Sequence, residues 1–243
     1  MSRSPVQPAA VRRHFKTAHA RPADGGGWLV ALDERPLSTP QRRVLCLPTA
    51  ALARAIAAEW NALTDRIDPQ RLPLTALANA AIDLVQGREK ETRSELLGHL
   101  DNDLLCYRAS WPERLRQLQA KHWDPPLTAL ADKLGAAFLV TEGVLPHHQP
   151  EELKRAVGAL LAARDAWWLT AVRALAGSAH SLALALAHAE CGLAIPAVIA
   201  AALLDETFQA EQWGADSEAE ARRRALADDM RLAARFLALL RTP

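Results

Sequence analysis

Few side chains in this sequence stand at spacings that chemistry requires. Asp101 and Asp103, either side of Asn102 and just beyond His99, come nearest to a paired carboxylate that divides acid and base roles. Acids so close together near a helix end serve equally well to cap or solvate it. His147-His148 is an adjacent histidine pair whose side chains must diverge, and no HExxH or cysteine partner accompanies it. It therefore lacks zinc-ligand spacing and reads as two solvated loop histidines. His180 and His188 read as residues of one helix among Leu and Ala. Cys46, Cys106 and Cys191 are far apart, without a CxxC pair, which fits a reducing compartment and small buried hydrophobes. Gly25-Gly26-Gly27 lacks the strand-then-helix setting of a phosphate fingerprint, and neither GxxxxGK[ST] nor GxSxG occurs. The residues thus support no catalytic group, no metal site and no cofactor.

The sharpest irregularity is Leu203-Leu204-Asp205-Glu206-Thr207-Phe208-Gln209-Ala210-Glu211-Gln212-Trp213-Gly214, where an apolar helix turns abruptly acidic. Glu206, Gln209 and Trp213 share a helical face by three- and four-residue spacing. One reading is a helix leaving the core and meeting water. The other is a recognition surface, because an exposed tryptophan beside acids suits docking of a partner's basic or aromatic patch. Seven tryptophans against one tyrosine is an unusual aromatic balance. Trp167 and Trp168, adjacent on a helix, cannot share a face, so one of them faces solvent, a second domain or a partner.

The elements that must position these residues divide the chain. Residues 1–48 form a small β-rich domain, with strands expected at His14–Thr17, Trp28–Leu32 and Arg43–Leu47 and turns at Asp24–Gly27 and Asp33-Glu34-Arg35-Pro36. Such a sheet is marginal alone and needs something to pack on. Residues 49–243 read as a helical domain. Thr49 caps a helix carrying Leu52, Ile56, Trp60 and Leu63. Further helices are expected over Leu74–Val85, Glu89–Leu105 and from Trp111 to the Pro125-Pro126 stop. A short helix at Thr128–Leu134 and an extended segment at Ala137–Thr141 follow. Helices then cover Glu151–Ala176, Ser178–Ala189, Ile195–Trp213 and Ser217–Leu240. The fold class is α+β, a small N-terminal antiparallel β domain followed by a larger all-helical one.

With 29 basic and 28 acidic side chains, the net charge of +1 argues against a nucleic-acid binder driven by charge. Half the residues are hydrophobic, enough for a sizeable core. The longest apolar run, Leu193–Leu204, contains Pro196 and falls short of the roughly 20 residues that span a bilayer. Up to Ala23 the chain lacks acids and carries four arginines, a faint echo of a transit peptide. With structured sequence starting near Val11, it reads instead as a flexible N-terminus, as far as Ala10, of a cytoplasmic protein.

A set of motifs in order along the chain resembles the F1-ATPase assembly chaperone family that attends the alpha subunit of ATP synthase. It runs from Arg13-His14-Phe15-Lys16 through Gly26-Gly27-Trp28-Leu29-Val30 and Leu32-Asp33-Glu34-Arg35-Pro36-Leu37-Ser38-Thr39-Pro40. Leu47-Pro48-Thr49, Ala57-Ala58-Glu59-Trp60, Leu72-Pro73-Leu74-Thr75 and Ala78-Asn79-Ala80-Ala81-Ile82-Asp83 continue it. Asp103-Leu104-Leu105-Cys106-Tyr107-Arg108-Ala109, Trp123-Asp124-Pro125, Leu204-Asp205-Glu206-Thr207-Phe208-Gln209 and Trp213-Gly214 complete it. The resemblance implies a non-catalytic chaperone that binds free alpha subunit, covers its beta-facing surface and releases it into the hexamer. It implies no cofactor, small-molecule substrate or membrane insertion. The family's functionally important acid falls at Glu206, with Asp205 as rival. Gln209 and Trp213 join it as partner-binding residues, and Asp33 and Arg35 as weaker candidates. A soluble scaffold, or a small helical enzyme built on Asp101, Asp103 and His99, are the alternatives.

Overall fold

A computed structural model describes residues 12–143, 147–214 and 216–242. The flexible stretch expected as far as Ala10 lies outside them. The chain forms two compact units, Met1–Leu84 with Leu239–Pro243, and Val85–Ala238. Residue 48 marks the change from strand to helix, and the first unit continues past it to include two helices.

The first unit is organised on β2 (Trp28–Leu32), which pairs antiparallel with β1 (Ala18–Pro22) along one edge. Its other edge carries β3 (Arg35–Pro36) and β4 (Cys46–Leu47). Gly27 lets β4 approach, since a Cβ there would lie 2.8 Å from the Leu47 carbonyl oxygen, and its φ of +81° suits glycine. The first strand begins later than His14–Thr17 because other groups claim that segment's backbone. The Asp33 carboxylate accepts from Lys16 N (3.0 Å) and Thr17 N (2.9 Å), and the Arg13 guanidinium donates to the Phe15 and Lys16 carbonyls. Val44 contributes only an isolated bridge to Ser38, so β4 is shorter than the Arg43–Leu47 run.

α1 (Ala50–Asn61) supplies what the sheet packs on. Thr49 accepts from Leu52 N at 3.2 Å as N-cap and donates to Leu239 O at 2.8 Å. The helix buries Leu52, Ala53, Ile56 and Trp60, and Phe15 meets the Trp60 ring edge-on at 5.8 Å. α2 (Pro73–Ala80) has no cap of its own, because Leu72 occupies that position. Glu59 caps it from α1 instead: its carboxylate accepts from Leu74 N (2.7 Å), Thr75 N (3.0 Å) and Thr75 Oγ1 (2.9 Å), while Trp60 Nε1 donates to the same hydroxyl at 3.1 Å. The expected Leu74–Val85 helix changes at Ala81 into a single π turn that presents Asp83 to Thr39 Oγ1 at 2.8 Å and Gln41 N at 3.2 Å.

The second unit is mostly helical among its described residues, with β5 (Tyr107–Arg108) and β6 (Thr141–Glu142) forming a short parallel pair. α3 (Glu89–Gly98) stops before the expected Leu105, giving way to 3-10 turns. Asp103 causes the stop: it is extended and buried, and accepts from Leu105 N (3.1 Å), Ser181 Oγ (2.7 Å) and Ala183 N (2.8 Å). α4 (Glu113–Leu134) runs through Pro125-Pro126, where the sequence predicts a stop. Burial of Trp123, Pro126, Leu127 and Leu130 outweighs the two hydrogen bonds the prolines forgo.

The expected Glu151–Ala176 helix is two, α5 (Glu151–Ala162) and α6 (Ala166–Ala179), because Asp165 turns out of the helix and caps α6 at Trp168 N (2.8 Å). α6 passes through Gly177-Ser178 and ends at His180, left-handed at φ +51°. Ser181 caps α7 (Leu182–Cys191), so His180 and His188 do not share a helix. α7 is buried throughout Leu182–Ala187 and forms the centre of the unit. Leu203 divides the Ile195–Trp213 stretch into α8 (Ile195–Ala202) and α9 (Leu204–Trp213), and α10 (Ser217–Arg241) ends the chain. Trp168 is buried and Trp167 stacks on Phe236 of α10 at 6.3 Å, so both members of that pair pack within the protein.

Replacing Glu59 by Ala leaves two helix N–H groups and a buried indole–hydroxyl pair short of their acceptor. The expected loss is about 1–2 kcal/mol, read as a lower urea midpoint at unchanged slope. An unaltered midpoint excludes the carboxylate as a stabilising cap.

Candidate functional site: the α4–α9 junction

α9 sits against α4 through one polar and one mixed contact. Gln119, 1% exposed on α4, donates from Nε2 to Asp205 Oδ1 at 2.8 Å, and its Oε1 accepts from Ala109 N at 2.9 Å. A turn and a half further along α9, Glu211 pairs with Arg114 at 3.6 Å, and the Arg114 guanidinium lies over the Phe208 ring at 5.8 Å. Gln119 and Arg114 run toward the N-terminus of α4 while Asp205 and Glu211 run toward the C-terminus of α9, so the helices are antiparallel. Leu204 and Phe208 face inward.

That orientation separates the two acids. Asp205 is half-buried, and loss of water raises its pKa, opposed by the Gln119 hydrogen bond and the nearby Arg108 charge. Glu206, about 100° further around the helix, is exposed, and its backbone carbonyl accepts from Arg223 Nη1 at 3.4 Å. Gln209 is exposed on the same face, and Trp213 is 81% exposed. Three of the four α9 candidates therefore form one outward face, and Asp205 holds the helix that presents them. Asp33 and Arg35 lie in the first unit. Asp33, at φ +52°, spends its carboxylate on the Lys16 and Thr17 amides, which hold its pKa down, and Arg35 is exposed on β3.

The Arg108 guanidinium ties the junction to the chain before it. It donates from Nε to Leu105 O at 3.0 Å, pairs with Asp124 at 2.8 Å and lies over the Trp123 ring at 5.1 Å. Trp123 Nε1 donates to Ala201 O of α8 at 2.9 Å. The Tyr107-Arg108-Ala109 and Trp123-Asp124 motifs are thus the framework under α9. Gln119 was missed from sequence: a glutamine one turn from charged neighbours carries no mark of burial.

The alternative acid pair is not brought together. Asp103 caps α7, and its burial raises its pKa. Asp101 turns to His148 Nδ1 (2.8 Å), Gln149 N (2.8 Å) and Lys154 Nζ (3.1 Å); against burial, which raises its pKa, these hold it down at about 2. The histidine pair is correspondingly less free than expected, since His147 Nε2 lies 3.1 Å from Leu139 O. Of the cysteines only Cys106 is buried; Cys46 is exposed and Cys191 intermediate. Among the described residues no helix is long and apolar enough to cross a membrane.

The chain thus joins a small antiparallel β unit to a helical unit in which α9 exposes Glu206, Gln209 and Trp213. The sequence profile of the ATP12 chaperone protein family matches residues 12–131. Atp12 from Paracoccus denitrificans is 41% identical, with a TM-score of 0.89 over 95% of this chain and 99% of that one. An Asp-to-Lys mutant of the P. denitrificans protein gives 40% identity, a TM-score of 0.89 and coverage of 95% and 98%. The Atu1473 protein of Agrobacterium tumefaciens gives 36%, 0.90, and 95% and 86%. This chain belongs to the ATP12 family, chaperones of ATP synthase assembly.

Asp205 and Glu206 should respond differently to substitution. Ionised Asp205 costs stability because its folded pKa lies above its unfolded value, so that cost grows as pH rises from the unfolded pKa through the folded one. Asp205→Asn should therefore match or exceed the wild-type melting temperature at pH 7, with the difference vanishing below about pH 3.5, where Asp is protonated in both states. Asp205→Lys, which sets a cation beside Arg108 and removes the acceptor of Gln119, should lower it. A stability gain from Asp205→Lys, or a deficit in Asp205→Asn that grows with pH, contradicts this assignment.

Proposed function

We propose that this chaperone binds the free alpha subunit of F1-ATPase through the outward face of α9, shields the surface that alpha later buries against beta, and yields it as the hexamer assembles. The carrying observation is the Trp213 indole, 81% exposed beside Glu206 and Gln209 on a helix anchored from beneath. Large exposed aromatics are costly in water and are the usual anchors of protein interfaces. Unassembled subunits expose apolar area that favours aggregation, and a reversible cover prevents it. Release needs no nucleotide hydrolysis by the chaperone, because the larger alpha–beta interface outcompetes it. The acids suited to general catalysis, Asp101 and Asp103, are engaged in caps and ion pairs, which favours a binding protein over an enzyme.

Co-expression with alpha, and separately with beta, followed by native mass spectrometry, tests the proposal. A one-to-one complex with alpha and none with beta is expected. Glu206→Lys should keep the wild-type melting temperature and reduce alpha capture at least about tenfold. Capture of both subunits alike, or of neither, overturns the reading. Unfolding of Glu206→Lys shows that Glu206 is structural, and overturns its place in the contact.

A further inference from the structure

Four large apolar side chains are exposed in the second unit among the described residues: Trp111 (82%), Leu139 (46%), Val140 (41%) and Trp213 (81%). Three of them border one stretch of surface. Arg114 and Arg116 are two residues apart, and therefore about 200° apart around α4. Arg114 reaches Glu211 of α9, and Arg116 reaches Glu142 of β6 at 3.2 Å. The exposed N-terminal half of α4 is thus flanked by α9, ending in Trp213, and by β6, preceded by Val140. Trp111 stands at its head, one residue before the Pro112 cap. Between α4 and β6 lies a cleft of about 360 Å³, lined by Val140, Thr141, Arg116, Gln117 and Ala120.

We infer that this whole surface, from Trp213 across the head of α4 to Val140, is the docking surface, and that its occupant is the apolar face of an unassembled alpha subunit. The inference rests on the alpha-binding reading above and extends it from one helix face to a surface with three apolar anchors. Apart from Glu206, whose side chain makes no ion pair among the described residues and calls for a polar or basic group opposite it, charge argues for an apolar occupant. Arg114 is paired with Glu211, and Arg116 with both Glu113 (3.2 Å) and Glu142, so the surface has already matched its own arginines. A strongly charged partner would have to break those pairs, whereas a neutral one leaves them at the rim. A membrane surface is disfavoured for the same reason, since interfacial binding draws on uncommitted Lys and Arg. Tryptophan anchors spaced within a polar surround match interfaces that bury about 800 Å² per partner.

The test compares wild type, Trp111→Ala and Val140→Ser, with Val44→Ser as control, an exposed apolar residue of the first unit (54%). Each is co-expressed with tagged alpha and with tagged beta, and captured chaperone is quantified by native mass spectrometry. Amide hydrogen exchange of the wild-type complex is followed in parallel. Trp111→Ala should reduce alpha capture about tenfold and Val140→Ser about threefold, with Val44→Ser unchanged. Amides around Trp111 and Val140 should gain protection in the complex. Wild-type capture by Trp111→Ala and Val140→Ser, without that protection, overturns the surface while leaving the alpha-binding reading intact. Selective capture of beta overturns the occupant and the reading together, as does capture of neither subunit. A dimer of the chaperone alone that Trp111→Ala dissociates shows that a second copy is the occupant, and overturns the inference.

Discussion

The presentation of α9 depends on one buried amide. Gln119 is almost wholly excluded from water and sits where an apolar residue would otherwise belong, so its carboxamide must be satisfied inside the protein. It accepts from Ala109 N and donates to Asp205, and in doing so fixes which side of α9 faces α4. A rotation of α9 by one residue would carry Glu206 to the amide, turn Asp205 toward water and lift Phe208 out of its contact under Arg114. Loss of the Phe208 packing opposes that rotation, and any rotation that brings no acceptor to the amide strands a buried donor at a cost of about 1–3 kcal/mol. The outward face of α9, proposed above as the recognition face, is therefore specified from beneath, by a residue on its inner side.

The first unit solves an analogous problem differently. α2 begins at Pro73 after an uncapped Leu72, so its first amides need an acceptor from elsewhere in the chain. Glu59 supplies both carboxylate oxygens from the preceding helix, and Trp60 shares the Thr75 hydroxyl. The same logic recurs where Asp33 serves Lys16 and Thr17, and where Asp103 serves Leu105 and Ala183. Acids that resemble catalytic or recognition residues in one dimension are, in three, the acceptors of helix and turn amides. Their spacing along the chain says little about this, because all but Leu105 of the groups they serve lie 15 to 80 residues away.

That difference marks how far the sequence could be read. Trp28–Leu32 was legible as a strand because apolar residues are bounded by glycines and a turn, and the helix after Thr49 because its cap and periodicity are local. The breaks at Ala163–Asp165 and Leu203 were not: Asp165 is an ordinary residue until its side chain caps α6, and Leu203 carries no breaking signal at all. The prolines of α4 failed in the opposite sense, because burial around Trp123 decides there and local propensity does not. At the site, helical spacing placed Glu206, Gln209 and Trp213 on one face, since periodicity is a property of the helix itself. It could not say that Asp205 points the other way, nor that Trp111 and Val140 stand along the neighbouring helix, because those are facts of packing.

A chaperone's surface must be tolerable in water when empty and compete only briefly when filled. The surface proposed at α4–α9 meets the first requirement through its ion pairs: with Arg114 on Glu211 and Arg116 between Glu113 and Glu142, neither arginine waits for a partner to supply its counter-charge. Departure of a partner therefore strands none of these arginines, and Glu206 is the one acid of the proposed contact whose counter-charge the partner would supply. Exposed pairs of this kind are each worth little, typically below about 1 kcal/mol, so their value lies in what they prevent. A surface anchored instead by uncompensated charge would hold its partner through buried ionic contacts, whose rupture is slow and costly. Apolar anchors in a self-neutralised surround favour an occupant that a larger, better-fitting interface can displace.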